Sequence, residues 1–189
     1  MKKYKHVFFD LDRTLWDFET NSFETISELA DSHKLSERGI DSLTDFIDTY
    51  IQINERMWDE YRKGLIDKTA LRYERFHETF GNYGISDRTL TENFANDYVS
   101  TSPLKTNLFP YCMETLSYLN EKYTLHIITN GFEEVQHVKI KNCAIDHFFE
   151  QVITSERAGF KKPDPRIFQY SLDVTNAISS ESIMIGDSL

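Results

Sequence analysis

Asp10 and Asp12 stand two apart, directly after the apolar run Val7-Phe8-Phe9. In an extended segment that spacing points both side chains the same way. Two carboxylates so close raise the pKa of one of them unless a cation intervenes, which makes unlike partners of an identical pair. An ionised Asp10 can attack phosphorus and form an aspartyl-phosphate. Asp12 can protonate the leaving oxygen and later take a proton from the attacking water. Magnesium takes oxygen ligands and bridges carboxylate to phosphate, so Asp10 and Asp187 are its natural ligands. Thr129, with the main-chain amides of Asn130 and Gly131, can hydrogen-bond phosphoryl oxygens, and Lys162 supplies a fixed positive charge against both the phosphate and Asp10. Each residue also has a plainer reading. Asp-x-Asp is often a solvated turn, and Thr129-Asn130-Gly131 is a turn signal on its own. Lys162 could be a solvated loop lysine and Asp187 a helix cap. What separates the readings is whether these residues converge, and that depends on the elements that carry them.

Residues 6–9 read as a short buried strand feeding an acidic loop. From about 17 to 100 helical periodicity dominates, with helices expected near 20–33, 42–62, 68–80 and 87–99 and breaks at Gly39, Gly64 and Gly81–Gly84. After Pro103 strands and helices alternate. Pro110 is expected to open a helix over 111–122, Leu125–Ile128 forms a strand, and a helix covers about 133–142. The strand Gln151–Thr154, the loop Gly159–Asp164, a helix begun by Asp164-Pro165 and the strand Ile183–Ile185 complete the run. Such alternation implies βαβ units and a mainly parallel sheet. The expected fold is α/β: a Rossmann-like parallel sheet core of residues 1–15 plus 102–189, with a helical cap domain inserted over 16–101. Ligands of such sheets sit beyond the carboxyl ends of the strands. Those ends carry Asp10 and Asp12, then Thr129, then Lys162 in a following loop, then Asp187. Solvated turns have no reason to coincide at successive strand ends, so the convergence favours phosphoryl transfer.

Composition narrows the partners. The chain of 189 residues suits one domain, or a core with one sizeable insertion. A net charge of −10 makes a basic nucleic-acid face improbable, while a small phosphorylated metabolite depends on a local site and a bound cation. Cys112 and Cys143 lack metal-ligand spacing and read as reduced, buried, small hydrophobes. Lys2, Lys3 and Lys5 precede an apolar run that Asp10 and Asp12 cut short, so no signal-peptide core forms. No stretch approaches the roughly 20 apolar residues of a membrane span. A cytoplasmic protein without membrane partners is expected, its oligomeric state left open.

The segments Val7-Phe8-Phe9-Asp10-Leu11-Asp12-Arg13-Thr14-Leu15, Ile127-Ile128-Thr129-Asn130-Gly131, Lys162-Pro163-Asp164-Pro165 and Ile185-Gly186-Asp187-Ser188 resemble the four motifs of the haloacid dehalogenase-like hydrolase superfamily. The resemblance implies Asp10 as nucleophile, Asp12 as acid/base, and Thr129 and Lys162 as phosphate-stabilising groups. It implies Asp187 as a magnesium ligand together with the main-chain carbonyl of Asp12, and it selects Lys162 over Lys161 because the family's lysine directly precedes the proline. The true dehalogenases of the superfamily have an aromatic residue where this chain has Asp12. A carbon–halogen displacement needs no proton for its leaving group, so Asp12 argues for phosphoryl chemistry.

The longer match, from Asp10 through Trp16-Asp17-Phe18-Glu19, with Thr129-Asn130-Gly131-Phe132 and Lys162-Pro163-Asp164-Pro165-Arg166-Ile167-Phe168, resembles the house-cleaning pyrimidine 5′-nucleotidases. A nucleoside 5′-monophosphate is the substrate this implies. Arg13 departs from the family pattern, and either substrate phosphate, Asp17 or Glu19 could engage it. The family's fourth motif continues to a second acidic residue, and its core to a further strand and helix, beyond what this sequence includes. A sugar phosphomutase or sugar-phosphate phosphatase shares the same intermediate. A phospho-accepting signalling module fits less well, because its acceptor lies at a middle strand and it carries no helical insertion. Among Trp16, Phe18, Arg56, Trp58 and Arg62, only Trp16 is weakly favoured as a substrate contact, for its place at the hinge.

Overall fold

The computed structural model describes residues 3–188. His6–Phe9 forms β1, bounded as the apolar run predicts. Helix α1 (Phe18–Ser32) follows, then α2 (Leu43–Arg62), α3 (Lys68–Gly81) and α4 (Arg88–Thr101). The chain continues through α5 (Cys112–Asn120), β2 (Thr124–Thr129), α6 (Glu133–Asn142) and β3 (Phe149–Thr154). The short α7 (Ser155–Ala158), α8 (Pro165–Thr175) and β4 (Ser182–Ile185) end it. Two compact units result, one running to Asn21 and resuming at Pro103, the other spanning Ser22–Ser102.

In the first unit the strands form one parallel sheet in the order β3-β2-β1-β4. Strand residues alternate between two apolar layers, as period-2 geometry demands. Val7, Phe9, Leu125 and Ile127 pack with Cys112 and Leu116 of α5 and Ile140 of α6. Phe8, Ile128 and Ile153 face the other way, against Ala158 of α7 and Ile167 of α8. Burial on both faces explains why these strands read as unbroken apolar runs rather than alternating ones. β2 and β3 extend beyond the expected Leu125–Ile128 and Gln151–Thr154. The parallel α/β core is as the sequence indicates. Cys112 and Cys143 are buried free thiols, and burial pushes both up to about 11.

Helix α5 differs from expectation. Tyr111 has a φ of 65°, in the left-handed region, so it precedes the helix instead of joining it, and Pro110 lies outside. α7 occupies the stretch between the expected strand and the expected Gly159–Asp164 loop, to which no element was assigned; Thr154 caps it by accepting from Arg157 N at 3.1 Å, and Gly159 ends it at a φ of 75°. The first turn of α1 belongs to the sheet unit. There Asn21 Nδ2 donates to Asn107 O at 2.8 Å and its Oδ1 accepts from Asn107 N at 3.1 Å.

The second unit is helical. Ser42, Asp67 and Asp87 cap α2, α3 and α4 by accepting from Asp45 N, Ala70 N and Leu90 N. Its core is aromatic: Phe46, Tyr50, Phe76, Phe80, Phe94 and Tyr98 interlock. Arg75 is buried among them, with Nη1 donating to Asn54 Oδ1 at 2.8 Å and the guanidinium 5.0 Å from the Phe76 centroid. Among the described residues no helix is long and apolar enough to cross a membrane.

Candidate active site

Register places the chemistry. Phe9 is level with Ile127 of β2 and Ile185 of β4, so Asp10 leaves the sheet beside the ends of both neighbours. Asp10 N donates to Ile185 O at 2.8 Å, and Gly186 lies so near that a Cβ there would stand 3.5 Å from Asp10 Cβ.

Asp10 is mostly buried, and Lys162 Nζ lies 2.6 Å from its Oδ2. Leu11 N donates to Oδ1 at 2.7 Å. Burial raises the pKa of this carboxyl, and the Asp12 charge adds to the rise. Lys162 and the Leu11 amide pull the other way. Burial is the largest of these influences, so the carboxyl stays above the usual carboxylate range, and the lysine offsets part of the rise.

Thr129, at the end of β2, is buried, and its Oγ1 accepts from Gly131 N at 3.0 Å. Asn130 turns toward the Lys162 loop. Its Nδ2 donates to Lys162 O at 2.9 Å, and its Oδ1 accepts from Lys162 N at 2.7 Å. One amide therefore fixes the backbone of the residue whose ammonium meets Asp10. The expected phosphate-binding loop and the expected lysine are joined, and Asn130 is the joint.

Asp12 is gripped by two residues that the sequence did not single out. Lys139 Nζ lies 2.5 Å from Oδ1, and Gln136 Nε2 donates to Oδ2 at 2.8 Å. The same Nε2 donates to Thr129 Oγ1 at 2.7 Å. Gln136 reaches both only because residue 131 has no side chain: a Cβ at Gly131 would sit 2.2 Å from Nε2. Gln136, Lys139 and Ile140 share the buried face of α6 at the i, i+3, i+4 spacing. That spacing normally marks apolar packing, so the two polar members read as solvent-facing in sequence.

Trp16 is fully buried, its indole N–H donating to Lys105 O at 3.1 Å and its ring 3.8 Å from Lys139 Nζ. The ring has no exposed surface and packs in the core of the sheet unit. Arg13 pairs with Glu19 at 2.6 Å, while Asp17 caps α1 through Thr20 N at 3.0 Å. In the helical unit, Arg56 pairs with Glu60 and Glu78, Arg62 approaches Asp59, and Trp58 meets the Tyr61 ring edge-on.

Asp187 is exposed, just past β4. Among the described residues no group of three His, Cys, Asp or Glu side chains is gathered to hold a metal. The donors that the strand ends supply are instead two carboxylates, Asp10 and Asp187, and main-chain carbonyl oxygen. All are hard oxygen ligands, and such a set fits a divalent cation that completes its shell with waters and phosphate.

Comparison with known proteins gives a family model, described as hydrolase: haloacid dehalogenase-like hydrolase, that matches residues 4–189. The pyrimidine 5'-nucleotidase YjjG of Escherichia coli K12 is 28% identical over 187 residues, covering 98% of this chain and 78% of that protein. Human N-acylneuraminate-9-phosphatase is 27% identical over 194 residues, covering 100% of this chain and 76% of its own. Among solved structures, the putative HAD-hydrolase YfnB of Bacillus subtilis, described as bound to magnesium, shares the fold at a TM-score of 0.88 and 23% identity. That match covers 99% of this chain and 81% of the other.

Proposed function

This chain belongs to the haloacid dehalogenase-like hydrolases, and on that premise we propose that it hydrolyses a small phosphate monoester through an aspartyl-phosphate on Asp10. The observation that carries the reading is the arrangement at the end of β1: a mostly buried carboxylate paired with Lys162, with a second carboxylate, Asp12, held two residues on. A dehalogenase needs the first and has no use for the second.

Asp10 Oδ attacks phosphorus in line while Asp12 gives a proton to the departing oxygen. Lys162 and Thr129 offset the charge that develops on the phosphoryl oxygens. In the second half-reaction Asp12 takes a proton from the water that opens the aspartyl-phosphate. Asp10, Asp187 and the Asp12 carbonyl would hold magnesium, which when bound neutralises phosphoryl charge and orients the ester.

A nucleoside 5′-monophosphate is the substrate class we infer. It is supported by the extended Asp10–Glu19 match and by the similarity to YjjG, named as a pyrimidine 5'-nucleotidase. Sugar phosphates are the second reading. It is favoured by the 28% identity over 186 residues to a protein from Methanothermobacter thermautotrophicus named as a glyceraldehyde 3-phosphate phosphatase. The test is phosphate release from UMP, dUMP and dTMP against sugar phosphates and p-nitrophenyl phosphate, with and without magnesium. Wild type should turn over nucleotides fastest, and Asp10→Asn should abolish release. Faster sugar-phosphate turnover would move the substrate class to the second reading, and release that survives Asp10→Asn would remove the covalent mechanism.

A further inference from the structure

Both oxygens of Asp12 are occupied, and both donors come from α6: Lys139 on Oδ1 and Gln136 on Oδ2. Gln136 is fully buried and Lys139 is 5% exposed. Burying an ammonium is costly unless its partners are well placed. Here they are a carboxylate at 2.5 Å and the face of Trp16 at 3.8 Å, with Trp16 itself anchored to Lys105 O. Gln136 spends both hydrogens of its amide inside the site, on Asp12 and on Thr129 Oγ1, while its buried Oε1 has no partner. Flipping the amide would turn that oxygen toward a carboxylate, so the orientation is forced. An interior residue placed only for packing would not hold an amide in so costly a position.

We propose that Gln136 and Lys139 are positioning residues for Asp12, with Trp16 bracing Lys139, and that they fix the direction in which Asp12 exchanges its proton. The inference rests on the phosphatase reading above. In the first half-reaction the Asp10 Oδ–phosphorus bond forms, the bond from phosphorus to the leaving oxygen breaks, and a proton passes from Asp12 to that oxygen. Without its two holders the Asp12 carboxyl turns freely about its side-chain torsions, and only a fraction of its orientations reach the leaving oxygen. The loss must then follow the leaving group's need for a proton. Esters of strongly basic alcohols suffer, while p-nitrophenyl phosphate, whose leaving group departs as an anion, does not.

The test is kcat/KM, which reports steps through departure of the leaving group, across a series from p-nitrophenyl phosphate to phenyl and benzyl phosphate. Wild type is compared with Gln136→Leu, Lys139→Met and Lys139→Arg. For benzyl phosphate, Gln136→Leu and Lys139→Met should lose on the order of 100-fold, against less than about 3-fold for p-nitrophenyl phosphate. Lys139→Arg, which keeps the charge, should recover part of the loss. An equal loss across the series, or none, would assign Gln136 and Lys139 to packing and overturn the inference. Circular dichroism checks each fold; should Lys139→Met not fold, Gln136→Leu decides alone. A folded wild type that releases phosphate from no ester overturns the phosphatase reading and this inference with it. A wild type that turns over, with variants that keep its leaving-group dependence, overturns this inference alone.

Discussion

At the scale of single residues, the site sets a desolvated carboxylate against one cation. Lys162→Met removes the charge 2.6 Å from Asp10 and leaves only the Leu11 amide to oppose burial, so the Asp10 carboxyl rises further. kcat should fall by about 100- to 1,000-fold. The acid limb of the rate profile should move to higher pH, because the nucleophile must be ionised; steady-state kinetics on p-nitrophenyl phosphate measures both. Gly131→Ala puts a Cβ 2.2 Å from Gln136 Nε2 and must expel that amide from between Asp12 and Thr129. With benzyl phosphate a loss of about 10- to 100-fold in kcat is expected, with KM nearly unchanged and the thermal midpoint within a few degrees of wild type. Asp10, Asp12, Thr129 and Lys162 were legible because polar groups at the ends of apolar runs have no packing role to explain them. Gln136 and Lys139 were not, because a polar residue on a helix face reads as solvated until the partner across the interface is known.

At the scale of elements, the strands carry one polar residue that burial discriminates against. His126 in β2 is fully buried, stacked on Phe8 with centroids 4.8 Å apart, and bonded to His6 at 3.1 Å. Burial, with His6 adding to it, pushes its imidazole down from 6.5 to about 4. Between those values the unfolded chain binds a proton that the folded chain refuses, so stability falls as pH falls through that interval. Urea unfolding above pH 6.5 and midway toward 4 should show a loss on the order of 1 kcal/mol assignable to this residue. His126→Phe should flatten that part of the profile. β1 and the helices α2 and α3 matched their sequence signals closely, since apolar runs and capping residues mark their own ends. Pro110 misled because proline also suits the turn before a helix; the left-handed Tyr111 that separates it from α5 has no sequence signature.

At the scale of the whole molecule, the chain carries two separate cores, one around the sheet and one of interlocked rings. Phe94 is fully buried, with Phe46, Phe76 and Phe80 each within 6.4 Å between centroids. Phe94→Ala should cost about 3–5 kcal/mol and strip hydrogen-exchange protection from α2, α3 and α4 well before β1 and β2. Equal loss of protection in both units would show that they unfold together. The division of the chain was legible as a switch from one hydrophobic period to another, whereas the boundary inside α1 was not, since a helix carries one period across it.

The sheet's order has a consequence for how the protein is made. β1 is a central strand, yet its first residue pairs with Thr124 and Ser182, far along the chain. A ribosome adding about 5–20 residues per second leaves Val7, Phe8 and Phe9 without either neighbour for many seconds. Throughout that interval the ring-packed helices can complete themselves from local sequence. The newborn chain therefore carries an exposed adhesive segment there, and the acidic pair that follows it is well placed to discourage neighbouring chains from pairing with it.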